Sequence, residues 1–243
     1  MIEAALWGLF AGGALLVGAA LGLRFQAPRW VIALVMAFGV GALISAVTFE
    51  LTEEAYTRGG TTALLVGLTL GALVFFAGDL VIDRRGGRHR KRSGGQQSEA
   101  GGAILLGAAL DGFPESVVIG LSLFEGGGVG LAFVLAVAIS NVPEGLSGAT
   151  GLRKAGHRPG RVLLMWAVVA LVSAAAAALG YGLADGLSDG VVAVLQAFAA
   201  GAILTMLADT MMPEAFDEGG HRPWVGLATV LGFALAAWLQ FVA

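Results

Sequence analysis

The sequence predicts an all-α polytopic membrane protein, eight transmembrane helices in a 3+2+3 inverted-repeat bundle. Three observations carry that fold class. Of 243 residues, 57% are hydrophobic and only 13% charged, charge-poor stretches of spanning length recur along the chain, and one of them returns without a gap 160 residues later. A soluble domain has about 25% charged residues, and the mean hydropathy of +0.85 is far outside that class.

The apolar stretches cover 3–23, 30–52, 59–82, 100–123, 128–152, 162–184, 190–212 and 223–242. Each is near the ~20 residues that a helix needs to cross the bilayer core. Barrel strands are shorter and alternate in polarity, and irregular backbone cannot face lipid, so helices are the only spanning form left. The first stretch carries Glu3, has no basic residue ahead of it and lacks a polar cleavage region; it reads as a retained helix. Helices one to three then occupy 1–83, a basic loop 84–99, helices four and five 100–152, and helices six to eight 153–243. The 84–99 loop is rich in Arg, Gly, Ser and Gln, and is expected to set topology as a solvated linker; no nucleic acid partner is implied. Trp7, Trp30 and Trp224 near helix ends read as interfacial anchors. Gly8 and Gly12, Gly18 and Gly22, and Gly67 and Gly71 have the four-residue spacing that lets helices approach closely, which suits a sliding interface or a homodimer equally.

Charge sets the expected orientation. With both termini outside, the inner loops hold 13 of the 14 Lys and Arg residues and only Arg58 lies outside. An integral protein of the cytoplasmic (inner) membrane is expected. Val31–Ile44 matches Val191–Leu204, and the match runs on to Glu54-Ala55 and Glu214-Ala215. The second helix runs outward and the seventh inward in this topology, so the copies are antiparallel, as transporter repeats are.

Two prolines inside apolar stretches are each followed by glutamate, in Asp111-Gly112-Phe113-Pro114-Glu115-Ser116 and Ser140-Asn141-Val142-Pro143-Glu144-Gly145. Proline frees the carbonyl four residues earlier and kinks the helix. A carboxylate at the bilayer centre costs ~2.5–3.5 kcal/mol on the insertion scale, so several of them imply a partner. No Lys, Arg or His lies near the middle of any predicted helix, and cysteine is absent. A cation is therefore the expected partner. Asp111 and Glu115 are four apart, as are Ser140 and Glu144, so antiparallel helices four and five would gather Asp111, Glu115, Ser140, Asn141 and Glu144. Three carboxylates and two neutral oxygens suit a divalent cation and repel an anion.

These residues resemble the ZIP family of divalent-metal transporters, which has eight helices, a variable loop after the third and His-Asn-x-Pro-Glu-Gly motifs in the fourth and fifth. Asn141-Val142-Pro143-Glu144-Gly145 matches that motif and Gly112-Phe113-Pro114-Glu115 matches it more loosely. The resemblance implies Asp111, Glu115, Ser140, Asn141 and Glu144 as metal ligands, movement of zinc, manganese, iron or a similar ion into the cytosol, and a metal that is cargo, with no prosthetic group. It also implies an elevator-like shift of the central helices. Asp111 and Ser140 stand where histidine-type ligands are expected, Gly112 stands for asparagine, and His89, His157 and His221 fall in loops. An all-oxygen site is harder than the family's and is expected to favour manganese, ferrous iron or another hard cation more than a histidine-containing site does, although zinc still accepts carboxylates, and a single ion over two.

The same acids are compatible with a metal-dependent intramembrane enzyme, a proton-linked carrier or a cation sensor. The enzyme lacks a Ser-Lys, Ser-His or zincin arrangement within the membrane. Of the remaining acids, Glu50, Glu53 and Glu54 suit either a cation entrance or a solvated helix end, and Asp83 a surface pair with Arg84 and Arg85. By resemblance, Asp79, Asp209 and Glu214 line an exit, Asp209 deepest. Met206, Met211 and Met212 are read as packing.

Overall fold

A computed structural model describes residues 1–25, 27–86, 101–124, 130–219 and 223–242. Most of the expected basic loop, with His89, and also His221 fall outside the described residues. The helices are α1 (Ile2–Arg24), α2 (Arg29–Ala46), α3 (Glu53–Arg84), α4 (Gly101–Phe124), α5 (Leu131–Lys154), α6 (Pro159–Ala184), α7 (Asp189–Met206), α8 (Met212–Gly219) and α9 (Trp224–Val242). No strand occurs among the described residues.

Seven helical segments there are long and apolar enough to cross a membrane. The count falls one short of the expected eight because Arg29–Arg84 is a single 56-residue helical run. At 1.5 Å per residue a straight run would be about 84 Å long, nearly three bilayer cores. It is not straight: Gly60, at φ 68° and ψ −172°, leaves helical geometry. The turn therefore falls later than the loop expected over 53–58. Helix continues through Gly59 instead, with Arg58 bonded to the Glu54 carboxylate at 2.6 Å.

Two π-helical turns interrupt the spans, Val47–Thr52 after α2 and Leu207–Met211 after α7. They begin 160 residues apart, so the sequence repeat extends to a backbone irregularity that no composition would produce. A π turn widens the helix, and hydroxyls tie it down: Thr48 donates to the Ile44 carbonyl at 2.7 Å, and Thr210 to the Met206 carbonyl at 2.7 Å.

Helices pack as crossed pairs: α1 on α5, α4 on α6, α2 on α9 and α3 on α7, with α1 also on α6 and α2 on α5. Every one of the four crossings is made the same way. At α1/α5, a Cβ on Gly18 would overlap the Val142 carbonyl, and a Cβ on Gly145 the Leu15 carbonyl. The same reciprocal contact joins Gly120 and Gly180 with the carbonyls of Ala177 and Val117, Gly41 and Gly232 with those of Thr229 and Phe38, and Gly71 and Gly201 with those of Phe198 and Leu68. In each case the carbonyl lies three residues before its own helix's glycine. Backbones this close exchange Cα–H···O contacts worth about 0.5–1 kcal/mol each, in a solvent where apolar burial gives helices no preference for one another over lipid. Gly8 and Gly12 seat α1 on Ala177 and Ser173 of α6, so all three glycine spacings read from the sequence mark close contacts. Much of α9 faces outward, including Leu227, Val230, Leu231, Leu235 and Trp238, as a lipid-facing helix should.

One contact fixes the N-terminal end of α5. Its N-cap, Gly130, supplies no side-chain cap. Glu50, from the first π turn, accepts the backbone N–H of Phe133 and lays its carboxylate against Gly130, where an added Cβ would overlap Oε2 and meet Cδ at 3.4 Å. A carboxylate at a helix N-terminus is favourable electrostatically as well as by hydrogen bonding. Glu50 Oε1 is buried and accepts no hydrogen bond.

Two outcomes follow from these contacts. Gly120→Ala should cost about 1–3 kcal/mol in detergent unfolding by overpacking the α4/α6 crossing. Gly13→Ala, on the same kind of helix but with nothing within 4 Å of the new Cβ, should be neutral or stabilising; equal losses would show that close approach is not what the glycines provide. Glu50→Ala should speed amide exchange at Phe133 roughly fivefold, for a cap worth about 1 kcal/mol. Gly130→Ala should do the same by displacing the carboxylate, and the double variant should be no worse than Glu50→Ala. Additive losses would mean that the two positions do not act through one contact.

Candidate metal site

The proline-glutamate motifs lie within helices that run through them, Pro114 in α4 and Pro143 in α5. All five sequence-predicted ligands are buried: Asp111, Glu115 and Ser140 are 2% exposed, Asn141 and Glu144 5%. Three of the buried acids of the described residues thus lie on these two helices, and α4 carries two of them.

Two hydrogen bonds orient the neutral donors. Ser140 gives its proton to the Val137 carbonyl at 2.9 Å, so its lone pairs point away from its own backbone. Asn141 Nδ2 donates to the Ala11 carbonyl of α1 at 2.9 Å. That carbonyl can only accept, so the amide nitrogen must face it and the amide oxygen is the end left toward the interior. Ser116 likewise returns its proton to the Gly112 carbonyl at 2.7 Å. α2 touches this region directly: a Cβ on Gly39 would stand 2.8 Å from Ser140 Cα. At Gly112, the place of the motif asparagine, an added Cβ would meet only Ser173 Oγ, at 3.4 Å.

The acids do not close on a single point. Among the described residues no three His, Cys, Asp or Glu side chains come together closely enough to hold a metal ion. α4 and α5 pack chiefly on their outer partners, α6 and α1, and only lightly on each other.

The other acids sort differently from the sequence expectation. Asp209, expected deepest, is exposed, while Glu214 is 5% exposed and Asp79 8%. The cause is the second π turn, whose extra residue rotates the helix so that Thr210 and Met211 face inward and Asp209 outward. Asp79 nonetheless lies near enough to Asp209 to interact electrostatically. Glu53 is exposed and Glu54 pairs with Arg58, as solvated helix-end charges do. Sequence reasoning did not foresee the capping role of Glu50; Gly130 at the start of the next apolar stretch was the one available signal. His157, in the α5–α6 turn, is half-buried against Gly101, well away from the motifs. Met206 and Met211 are buried among apolar side chains, as packing residues.

Comparison with known proteins agrees with this architecture. A family model described as "ZIP Zinc transporter" matches residues 82–240, which takes in both motifs and α6 to α9. The Arabidopsis thaliana protein named "Putative zinc transporter At3g08650" is 26% identical over 205 residues, 84% of this chain and 33% of that protein. The chain thus spans about a third of the length of the curated relative it matches. Buried acids on two proline-containing spans, an all-helical bundle and a family match over most of the chain lead to one conclusion: this chain belongs to the ZIP zinc transporter family.

Proposed function

We propose that the chain carries divalent metal cations through the membrane into the cytosol, by way of a carboxylate-rich site between α4 and α5. The observation that carries this reading is the burial of Asp111, Glu115, Ser140, Asn141 and Glu144 together on two helices, each with a proline inside the span. Ser140 and Asn141 direct oxygens inward, so the donor set is entirely oxygen. Such a set accepts manganese and ferrous iron readily, and zinc through its carboxylates. A divalent ion offsets the mutual repulsion of neighbouring carboxylates. The metal is cargo.

The architecture supports the reading. Gly60 divides Arg29–Arg84 into two spans and raises the count to eight, with α8 lying between the last two. Helix one then corresponds to helix six, two to seven, three to α9 and four to five. This correspondence carries the α1/α5 glycine crossing onto α6/α4, the α2/α9 crossing onto α7/α3, and one π turn onto the other. Within every crossed pair the two helices run in the same direction, the arrangement in which small residues bring backbones into Cα–H···O contact. The plan is 3+2+3, with antiparallel halves and α4 and α5 at the centre. Both termini face outside and the 84–99 segment inside, because that choice places 13 of 14 basic residues on the cytoplasmic side.

Flux into proteoliposomes, loaded in turn with zinc, manganese and ferrous iron, tests the proposal. Glu115→Ala and Glu144→Ala should each lower flux or apparent affinity roughly 10–100-fold, the usual cost of losing a group that holds a metal; transport unchanged in both would remove the site. Asp111→His should shift preference from manganese toward zinc, and an unaltered metal profile would count against a selectivity set by donor hardness.

A further inference from the structure

At the basic end of the bundle the last turn of α1, the first of α2 and the last of α5 enclose a cavity of about 570 Å³. Arg24, Arg29, Arg153 and Lys154 line it, together with Thr150 and short apolar stretches, and among the described residues no acidic side chain lines it. We propose that this cavity binds the phosphate-bearing headgroup of an anionic phospholipid.

The null explanation for basic residues at this end is topology, and the orientation rule does ask for Lys and Arg in these loops. It does not ask that four of them, from three separate helix ends, converge on one cavity. Nor do helix dipoles account for the set. Arg24, Arg153 and Lys154 stand at helix C-termini, where cations are favoured, but Arg29 opens α2, where the positive end of the dipole opposes it. An anion in the cavity meets guanidinium and helix N-terminus together. Two of these side chains are positioned by neighbours in the α1 end. Arg153 donates to the Leu23 carbonyl, and Arg24 lies over the Phe25 ring, 5.4 Å from its centroid.

The choice of a lipid over a soluble phosphate rests on the next residue. Trp30 begins an apolar groove of about 540 Å³ that continues along Leu34, Trp224, Ala228 and Leu231 between α2 and α9. Arg29 of the cavity and Trp30 of the groove are consecutive residues in the first turn of α2. A free anion uses only the cavity, whereas an anionic phospholipid fills both, headgroup on the arginines and acyl chain along the tryptophans. The site is separate from α4 and from the acids of the motifs, so it stands or falls independently of metal transport.

The test measures lipid retention by the purified full chain with phosphatidylglycerol, phosphatidylcholine and inorganic phosphate as probes. Wild type should retain phosphatidylglycerol in preference to phosphatidylcholine, and millimolar inorganic phosphate should not displace it. Each charge near a lipid headgroup is worth about fivefold in affinity, so Arg24→Gln with Lys154→Gln should weaken retention about thirtyfold. Arg158→Gln with Arg161→Gln, on the neighbouring basic turn but outside the cavity, should leave it unchanged. Lys154→Gln alone, at an exposed side chain, keeps the test valid should the pair unfold. Phosphatidylglycerol with brominated acyl chains should quench tryptophan fluorescence, and Trp30→Phe should remove part of that quenching. Equal weakening by the two charge pairs, equal retention of both lipids, or displacement by inorganic phosphate would each overturn the proposal.

Discussion

In a hydrocarbon solvent, a helix that has satisfied its own backbone hydrogen bonds has little reason to prefer another helix over lipid. Close backbone approach is one of the few contacts that lipid cannot imitate. This chain makes that contact four times with one device, a glycine facing a carbonyl three residues before the partner's glycine. The rest of the structure depends on it, because each crossing assigns a helix its neighbour. Once α5 is fixed on α1 and α4 on α6, each motif-bearing helix is gripped along one face, and its other faces can carry polar groups. The light packing between α4 and α5 follows from the same assignment.

Polar contacts then refine what the crossings have set. Asn141 reaches from α5 to the Ala11 carbonyl of α1, one and two turns along α1 from Leu15 and Gly18 at the crossing, and so holds the rotation of α5 as well as its position. Glu50 holds the other end of the same helix through Phe133 and Gly130. The half of α5 that contains Ser140 and Glu144 is thus anchored to α1 and α2 at separate points along its length. A candidate ion site needs such support, since oxygens that are not positioned in advance must be ordered at the moment of binding.

Some of this was legible in the sequence and some was not, for physical reasons. Spans, glycine spacings and the 160-residue repeat are local patterns, and each reappears in the structure as helices, close crossings and paired π turns. The π turns themselves leave no trace in composition, and their consequence was invisible: one extra residue in a turn moved Asp209 outward, so that Glu214 is the more buried acid. The turn at Gly60 was read too early, because the charged segment before it looked like loop and is held helical by the Arg58–Glu54 pair. The motif residues were identifiable as a buried set, since helical spacing is a property of one chain segment. Their failure to close on a point depends on where two helices sit relative to each other, which no spacing encodes.

Symmetry in the backbone does not extend to the donors, and the difference falls beside the motifs. When the two central crossings are aligned, Gly18 corresponds to Gly180 and Leu15 to Ala177, which carries Ala11 onto Ser173. On one side the polar side chain belongs to the central helix, Asn141, and the outer helix answers with a backbone carbonyl. On the other side the same alignment, Gly145 onto Gly120, carries Asn141 onto Ser116, which returns its proton to the Gly112 carbonyl of its own helix at 2.7 Å. The crossing geometry is repeated and the cross-helix hydrogen bond is not. A frame held together by backbone contacts tolerates such a difference, because the glycine-carbonyl crossings do not involve these side chains. Polar chemistry around Asp111 and Glu115 can therefore vary independently of the fold that presents it.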